Sequence, residues 1–330
     1  MTMSNKESTM NKPRLVLTRR LPQQAEAELA VHFDLLGNPE DRVLEASEIV
    51  ARAHAHQAEA LLVTLTDRLE ATTIDALPAS VRIICTYSVG TNHLDLQAAR
   101  RHGIALAYAP EAVTEATADT AMLLLLAACR RAHEFQAQLR QGRWGAWNAW
   151  ENLGWDPGGQ ILGLVGMGRI GRAVARRARA FGMDIHYFQR NRLESSLEDG
   201  ATYHSSLDSL FAISRFVSLH TPTTPETKGF INAQALSWLK DGAIFINTAR
   251  GDQVDDDALI AALRSGKLAA AGLDVFNNEP AFDRRYLDLP NAYLLPHIGT
   301  STEQTRIRMS RDCIANLCAF FAGKPIPWPI

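Results

Sequence analysis

The chain has 330 residues, enough for two domains at roughly 150 residues each, and its 46% hydrophobic and 21% charged content is that of an ordinary globular protein. A formal net charge of -2 provides no global field to gather nucleic acid or an anionic membrane surface. The longest apolar run, AMLLLLAAC at 121–129, is far short of the roughly 20 residues needed to span a bilayer and is closed by Arg130 and Arg131.

Residues 1–12, MTMSNKESTMNK, are polar and lack the apolar core of a secretory signal, so a frayed tail before the first strand is expected. Short apolar runs then read as strands: RLVLT at 14–18, EALLVT at 59–64, VRIICTY at 81–87 and IALAYA at 104–109, with helical patterns between them such as 22–30 and 46–53. The run at 121–129 is expected to be a buried helix, and the Trp- and Gly-rich segment 142–160 an irregular interruption. A second series comes next, with ILGLV at 161–165, DIHYF at 184–188, RFVSLHT at 215–221, GAIFINT at 242–248 and AAAGLDV at 269–275. AYLLPHIG at 292–299 and a helix over 302–322 close the chain. Such alternation predicts an α/β protein with two doubly wound parallel-sheet units, Rossmann-like or flavodoxin-like, in tandem. The four cysteines, Cys85, Cys129, Cys313 and Cys318, have no CxxC or His/Cys metal spacing. They read as reduced thiols of a cytoplasmic protein without a bound metal.

The stretch GMGRIG, 166–171, joins a strand to an amphipathic helix. Gly166 permits the tight turn, Gly168 lets the backbone approach a pyrophosphate, and Gly171 lets helix and strand pack closely, with Arg169 and Ile170 at the helix N-terminus beside the phosphates. After the next strand a dinucleotide site that prefers NAD keeps an acid for the ribose hydroxyls. This chain reads Gln189, Arg190, Asn191, Arg192. Cations there accept the 2'-phosphate of NADP, which predicts NADP(H) as the cofactor with NAD weaker. Solvated loop arginines, neutralised by Glu194 or Asp199, are the alternative.

Arg250, Glu279 and His297 each fall at or beyond the carboxyl end of a predicted strand, the edge where open α/β sheets bind ligands. Singly, each has an ordinary structural explanation. Together they suit reduction of a 2-oxo acid, in which a hydride goes to the carbonyl carbon and a proton to the oxygen. The imidazole of His297 is the side-chain type suited to donate that proton, Glu279 on its other nitrogen fixes the tautomer and favours the protonated ring, and Arg250 can hold the carboxylate while polarising the carbonyl.

At these residues the chain resembles the D-isomer-specific 2-hydroxyacid dehydrogenase family, and within it the glyoxylate/hydroxypyruvate reductases. The matching stretches are YSVGTNHLDLQAARRHGI, APEAVTEATADTAMLLLLAACRR, GLVGMGRIG, INTARGD, AAAGLDVFNNEP and LPHIGTST. The resemblance implies Arg250, Glu279 and His297 as catalytic residues, and Val89 and Gly90 as backbone donors to the substrate carboxylate. It implies that Thr117, Thr248, Ala249 and Asp274 line the nicotinamide end of the site, with Thr221, Pro222, Gly299 and Thr300 also at the cofactor. It implies a substrate domain of 1–110 completed by 296–330, an NADP-binding domain of 111–295, and an active site in the cleft between them. It further implies a homodimer in which Trp147, within GRWGAWNAWENLG, reaches the partner's site; Trp144, Trp147 and Trp150 as simple interface filling is the alternative. Formate dehydrogenases of the superfamily pair the histidine with glutamine, from which Glu279 departs, and no regulatory domain of the longer phosphoglycerate dehydrogenases is expected after the last helix.

A 2-ketogluconate or broader 2-ketoacid reductase is the nearest enzymatic rival. A nucleotide-sensing protein of the corepressor type is the rival of another class, and the missing acid at 189–192 speaks against it.

Overall fold

The structure is a computed structural model that describes residues 12–330. The expected N-terminal tail lies, as far as residue 11, outside the described residues. The chain forms two compact units, one running to Val113 and completed by Thr302–Ile330, the other Thr114–Ser301.

The first unit holds a five-stranded sheet of β1 (Arg14–Leu17), β2 (Asp34–Leu36), β3 (Ala60–Val63), β4 (Ile83–Thr86) and β5 (Ala105–Ala107), all parallel, in the order β2-β1-β3-β4-β5. Every residue of β3 and β4 is buried, as expected of central parallel strands covered on both faces, which read as continuous apolar runs rather than alternating ones. The last helix, Glu303–Phe321, begins at Thr302, whose hydroxyl accepts from the Thr305 amide. It sends Met309, Cys313, Ile314 and Leu317 into one cluster with Leu15, Leu62, Ile83 and Cys85. At roughly 1.5–3 kcal/mol for each large apolar side chain buried, this packing rather than chain proximity assigns the C-terminal helix to the first unit. Buried Asn316 secures the chain end beyond this helix, donating to the Tyr108 carbonyl at 2.9 Å and accepting from the Trp328 amide at 3.0 Å.

The second unit holds β6 (Ile161–Val165), β7 (Asp184–Phe188), β8 (Thr202–His204), β9 (Phe216–Leu219), β10 (Ala243–Asn247), β11 (Leu268–Leu273) and β12 (Ala292–Leu294). Their order is β12-β11-β10-β9-β6-β7-β8, again wholly parallel. The order reverses at β6, whose neighbours are β7 on one side and β9 on the other, so the ligand crevice of a doubly wound sheet opens beyond the carboxyl end of β6. The helix Thr114–Cys129 carries the apolar run and lays Ala121, Leu124, Leu125 and Ala128 against Leu162, Ile185, Ile244 and Ile246. Beside it the helix Arg169–Ala180 buries Ala173, Val174, Ala175 and Ala178 along one stripe, with Arg169 and Arg176 exposed and Arg177 paired with Glu115 and Asp119.

Two strands were not expected from sequence, β2 and β8. Each is three residues long at a sheet edge and carries a polar residue, so neither has the apolar run that marks the interior strands. Segment 142–160 contains no helix or strand, as expected.

Candidate active site

The glycine turn leaves β6 directly. Gly166 has φ +97°, a left-handed backbone that favours glycine, and a Cβ there would lie 2.8 Å from the His220 carbonyl group. A Cβ at Gly171 would lie 2.2 Å from the Gly166 oxygen, so helix and strand can approach only because that position has no side chain. Gly168 differs: a Cβ there would meet nothing within 4 Å. Its missing side chain serves no contact within the protein, and the open space it leaves adjoins the N-terminus of Arg169–Ala180, where the free amides and the positive end of the helix dipole lie. A pyrophosphate fits that combination. Just past β10, the Thr248 hydroxyl is buried without a hydrogen-bond partner.

Beyond β7, the Gln189 carboxamide spans the turn and the reader segment. Its Oε1 accepts from the Met167 amide at 3.0 Å, and its Nε2 donates to the Asn191 carbonyl at 2.7 Å. Arg190 and Asn191 are exposed. Arg192 meets a carboxylate, and that carboxylate is Glu198 rather than Glu194 or Asp199: its Nε and Nη2 lie 2.8 and 3.0 Å from the two Glu198 oxygens. Asp199 instead pairs with Arg179 at 2.8 Å. Arg192, then the Tyr187 hydroxyl at 2.6 Å, hold the Glu198 carboxyl down at about 2.

The three residues singled out for chemistry are brought together after β10, β11 and β12. His297 Nδ1 and Glu279 Oε2 are 2.6 Å apart, while Glu279 Oε1 accepts from the Phe276 amide at 2.7 Å. Burial pushes the Glu279 carboxyl up, but His297, that amide and the charge of Arg250 outweigh it and leave it below the usual carboxylate range. Arg250 is half-buried, and that burial lowers its guanidinium from the usual arginine value, with the charges of Glu279 and Asp252 opposing. Its Nη1 donates to the Ala249 carbonyl at 2.6 Å. His297 has φ +53°, an unusual conformation for a residue with a side chain, and the next two amides are both held. Ile298 and Gly299 donate to the two oxygens of Asp274 at 2.7 and 2.8 Å. Burial first of all raises the Asp274 carboxyl.

Thr117 lies at Gly299, where a Cβ would come 3.7 Å from its methyl. Thr221 and Pro222 follow β9, and Gln253 donates to the Thr221 carbonyl at 2.9 Å. Val89 and Gly90 belong to the other unit, in the loop after β4, where the Ser88 hydroxyl donates to the Gly90 carbonyl at 2.7 Å. Trp147 is 88% exposed, with Trp144 and Trp150 nearly as open.

Several supporting residues were not singled out by sequence. Asn247 braces the Arg250 loop, accepting from the Ala249 amide and donating to the Arg250 carbonyl, both at 2.9 Å. Gly251 packs so tightly that a Cβ would fall 1.9 Å from the Phe276 carbonyl carbon, which fixes the Arg250 loop against the one bearing Glu279. Asp256 accepts from the Tyr286 hydroxyl at 2.7 Å and from Asn277 at 2.9 Å. Their signal was their position inside or next to the family-like stretches, but what each would touch is not written in its spacing.

The profile of the D-isomer specific 2-hydroxyacid dehydrogenase NAD binding domain matches residues 122–299. The glycerate dehydrogenase of Hyphomicrobium methylovorum is 41% identical over 97% of this chain and 100% of its own length. The crystal structure of a glyoxylate reductase from Paecilomyes thermophila is 37% identical with a TM-score of 0.88, covering 97% of this chain and 99% of that one. That of an NADPH-dependent glyoxylate/hydroxypyruvate reductase from Sinorhizobium meliloti, in complex with NADP and malonate, is 33% identical with a TM-score of 0.84 and 97% coverage of each chain. With the glycine turn and the three converging side chains already placed in one Rossmann unit, these matches show that the chain belongs to the D-isomer-specific 2-hydroxyacid dehydrogenase family.

Proposed function

We propose that this protein reduces 2-oxo acids, glyoxylate and hydroxypyruvate foremost, to glycolate and D-glycerate with NADPH, as a cytoplasmic homodimer. The observation that carries the reading is the His297–Glu279 pair at 2.6 Å in the same unit as Arg250 and an open glycine turn. The named activities of the relatives support the substrate class, and the Sinorhizobium enzyme's NADP supports the cofactor.

The unit Thr114–Ser301 is the cofactor domain, with Gly166, Gly168, Arg169, Ile170 and Gly171 at the pyrophosphate and Thr117, Thr248, Ala249, Asp274, Gly299 and Thr300 at the nicotinamide end; Thr221 and Pro222 also line it. NADPH, when bound, supplies the hydride for the substrate's C2. Arg250 holds the substrate carboxylate and polarises its carbonyl, and Val89 and Gly90 add backbone donors for the carboxylate. His297 gives the proton from Nε2 to the carbonyl oxygen, because Nδ1 is committed to Glu279. Glu279 keeps that tautomer and stabilises the ring while it is charged. The partner subunit's Trp147 closes the substrate's far side.

Initial rates with glyoxylate, hydroxypyruvate, pyruvate and 2-ketogluconate, each with NADPH and with NADH, test the reading. The highest kcat/KM is expected for NADPH with glyoxylate or hydroxypyruvate. Equal rates with NADH overturn the cofactor assignment, a clear preference for 2-ketogluconate moves the substrate to a larger sugar acid, and absence of turnover with every pair overturns the enzyme.

A further inference from the structure

The proposed NADP preference rests on two arginines, yet the two are not in equivalent surroundings. Arg192 is bound through two nitrogens to both oxygens of Glu198, a side chain only 8% exposed, and its guanidinium lies 5.8 Å from the centre of the Tyr203 ring on the edge strand β8. Tyr187 completes the arrangement, donating to Glu198 at 2.6 Å and accepting from the Leu193 amide at 3.1 Å. Every group around Arg192 therefore directs it toward the β7–β8 end of the sheet. Arg192 is itself 63% exposed and its Nη1 makes no bond to Glu198, so what the pair withdraws from a ribose phosphate is the Nε–Nη2 edge and the charge shared with the carboxylate.

Arg190 is placed differently. It is exposed, and among the described residues it forms no ion pair; the carboxylate that feels its charge is Glu226, whose own partner is the Thr224 hydroxyl at 2.7 Å. The Gln189 side chain ties the residue on one side of it to the amide just past Gly166 and the residue on the other side through the Asn191 carbonyl. Arg190 thus sits on a short bridge anchored to the phosphate turn itself.

We infer that Arg190 alone discriminates the 2'-phosphate, and that Arg192 is a positioning residue whose charge is cancelled by Glu198. The inference rests on the NADP reading and deepens it. A single guanidinium contact corresponds to roughly ten- to a hundredfold preference for the phosphorylated ribose, against the larger factor that two would give.

The test is the affinity of the protein for 2',5'-ADP and for 5'-AMP by isothermal titration calorimetry at one fixed salt concentration, with 5'-AMP binding as the internal check that each variant is folded. The unaltered protein is expected to bind 2',5'-ADP ten- to a hundredfold more tightly, and Arg190→Gln to bring the two ligands within about threefold. The Arg192→Gln/Glu198→Gln double variant, which removes the pair together, is expected to keep the preference within about threefold of the unaltered protein. Loss of the preference in the double variant with 5'-AMP binding intact, or its survival in Arg190→Gln, overturns the inference while leaving the NADP reading standing. Equal affinities in the unaltered protein overturn both.

Discussion

Replacing Gly168 by alanine separates what the glycine turn does for the protein from what it does for a ligand. Gly168 has φ −70° and ψ −161°, extended backbone that alanine adopts without strain, and the added Cβ would have no neighbour within 4 Å. The folded state therefore bears no steric cost, while the unfolded chain is restricted, a stabilisation of about 0.4–1 kcal/mol. A phosphate is affected oppositely. The methyl group occupies the space through which an oxygen would reach the amides at the start of Arg169–Ala180, and removing each charge-assisted N–H bond costs about 1.5–3 kcal/mol. Gly168→Ala should thus unfold at the same temperature as the unaltered protein or up to about 3 °C higher, yet bind NADPH roughly ten- to more than a hundredfold more weakly. Scanning calorimetry and a fluorescence titration with NADPH measure the two quantities on one sample. Affinity within threefold of the unaltered protein, with stability retained, would show that the pyrophosphate does not pass over Gly168 and would refute the placement of the cofactor.

Gly251→Ala is the opposite case: its Cβ would fall 1.9 Å from the Phe276 carbonyl carbon and 2.4 Å from the Asn277 nitrogen, so two loops must part. We expect destabilisation by about 1–3 kcal/mol in urea denaturation and roughly a hundredfold fall in kcat from the displaced Arg250; activity within threefold would contradict the account. Asp274→Asn leaves one acceptor for two donors, Ile298 and Gly299, and turns an amide N–H toward the other, releasing the left-handed turn at His297. A fall in kcat of about tenfold or more is expected, whereas unchanged kcat in a folded variant would mean that the turn holds itself. Burial pushes the His220 ring down to about 3 from 6.5. A depressed folded value means that the stability tied to the neutral ring is complete above pH 6.5 and is lost as pH falls toward 3, by up to about 5 kcal/mol. His220→Asn should flatten the fall in urea midpoint between pH 6.5 and 4, and a profile parallel to that of the unaltered protein would discount this histidine. Trp147→Ala removes a side chain 88% exposed, so stability of the single chain should change by less than about 0.5 kcal/mol, while self-association measured by sedimentation should weaken about tenfold; unchanged association and unchanged KM would refute its role at a partner subunit.

Much of this architecture was legible because burial on both faces writes itself as composition. ILGLV and DIHYF are β6 and β7 residue for residue, and AMLLLLAAC lies wholly within the helix Thr114–Cys129. Strands β2 and β8 were not legible, since an edge strand of three residues needs no apolar run and takes its order from the neighbour it pairs with. The glycine spacing identified the turn, but only the packing distinguishes Gly166 and Gly171, whose missing side chains leave room for the protein's own backbone, from Gly168, whose does not.

The candidate site shows the same division between kind and partner. Arg250, Glu279 and His297 could be chosen by chemical type and by their places after strands, because proton transfer and carboxylate binding restrict the side chains that can serve. Their bracing could not, because Asn247, Gly251 and Asp274 act through the backbone of the next loop, and almost any sequence presents backbone amides. The reader segment makes the point with charge. Two arginines at 190 and 192 state the sign of what can bind, but the charge available to a ligand depends on a carboxylate six residues on, carried by the four-residue helix Ser195–Glu198. Glu194 is nearer in sequence and Asp199 only one residue further than Glu198, and it is the turn of that helix that gives Glu198 to Arg192 and Asp199 to Arg179. A count of cations therefore overstates the attraction for a phosphate by the one that is already paired, and the unit in which that attraction is set is the ion pair rather than the residue.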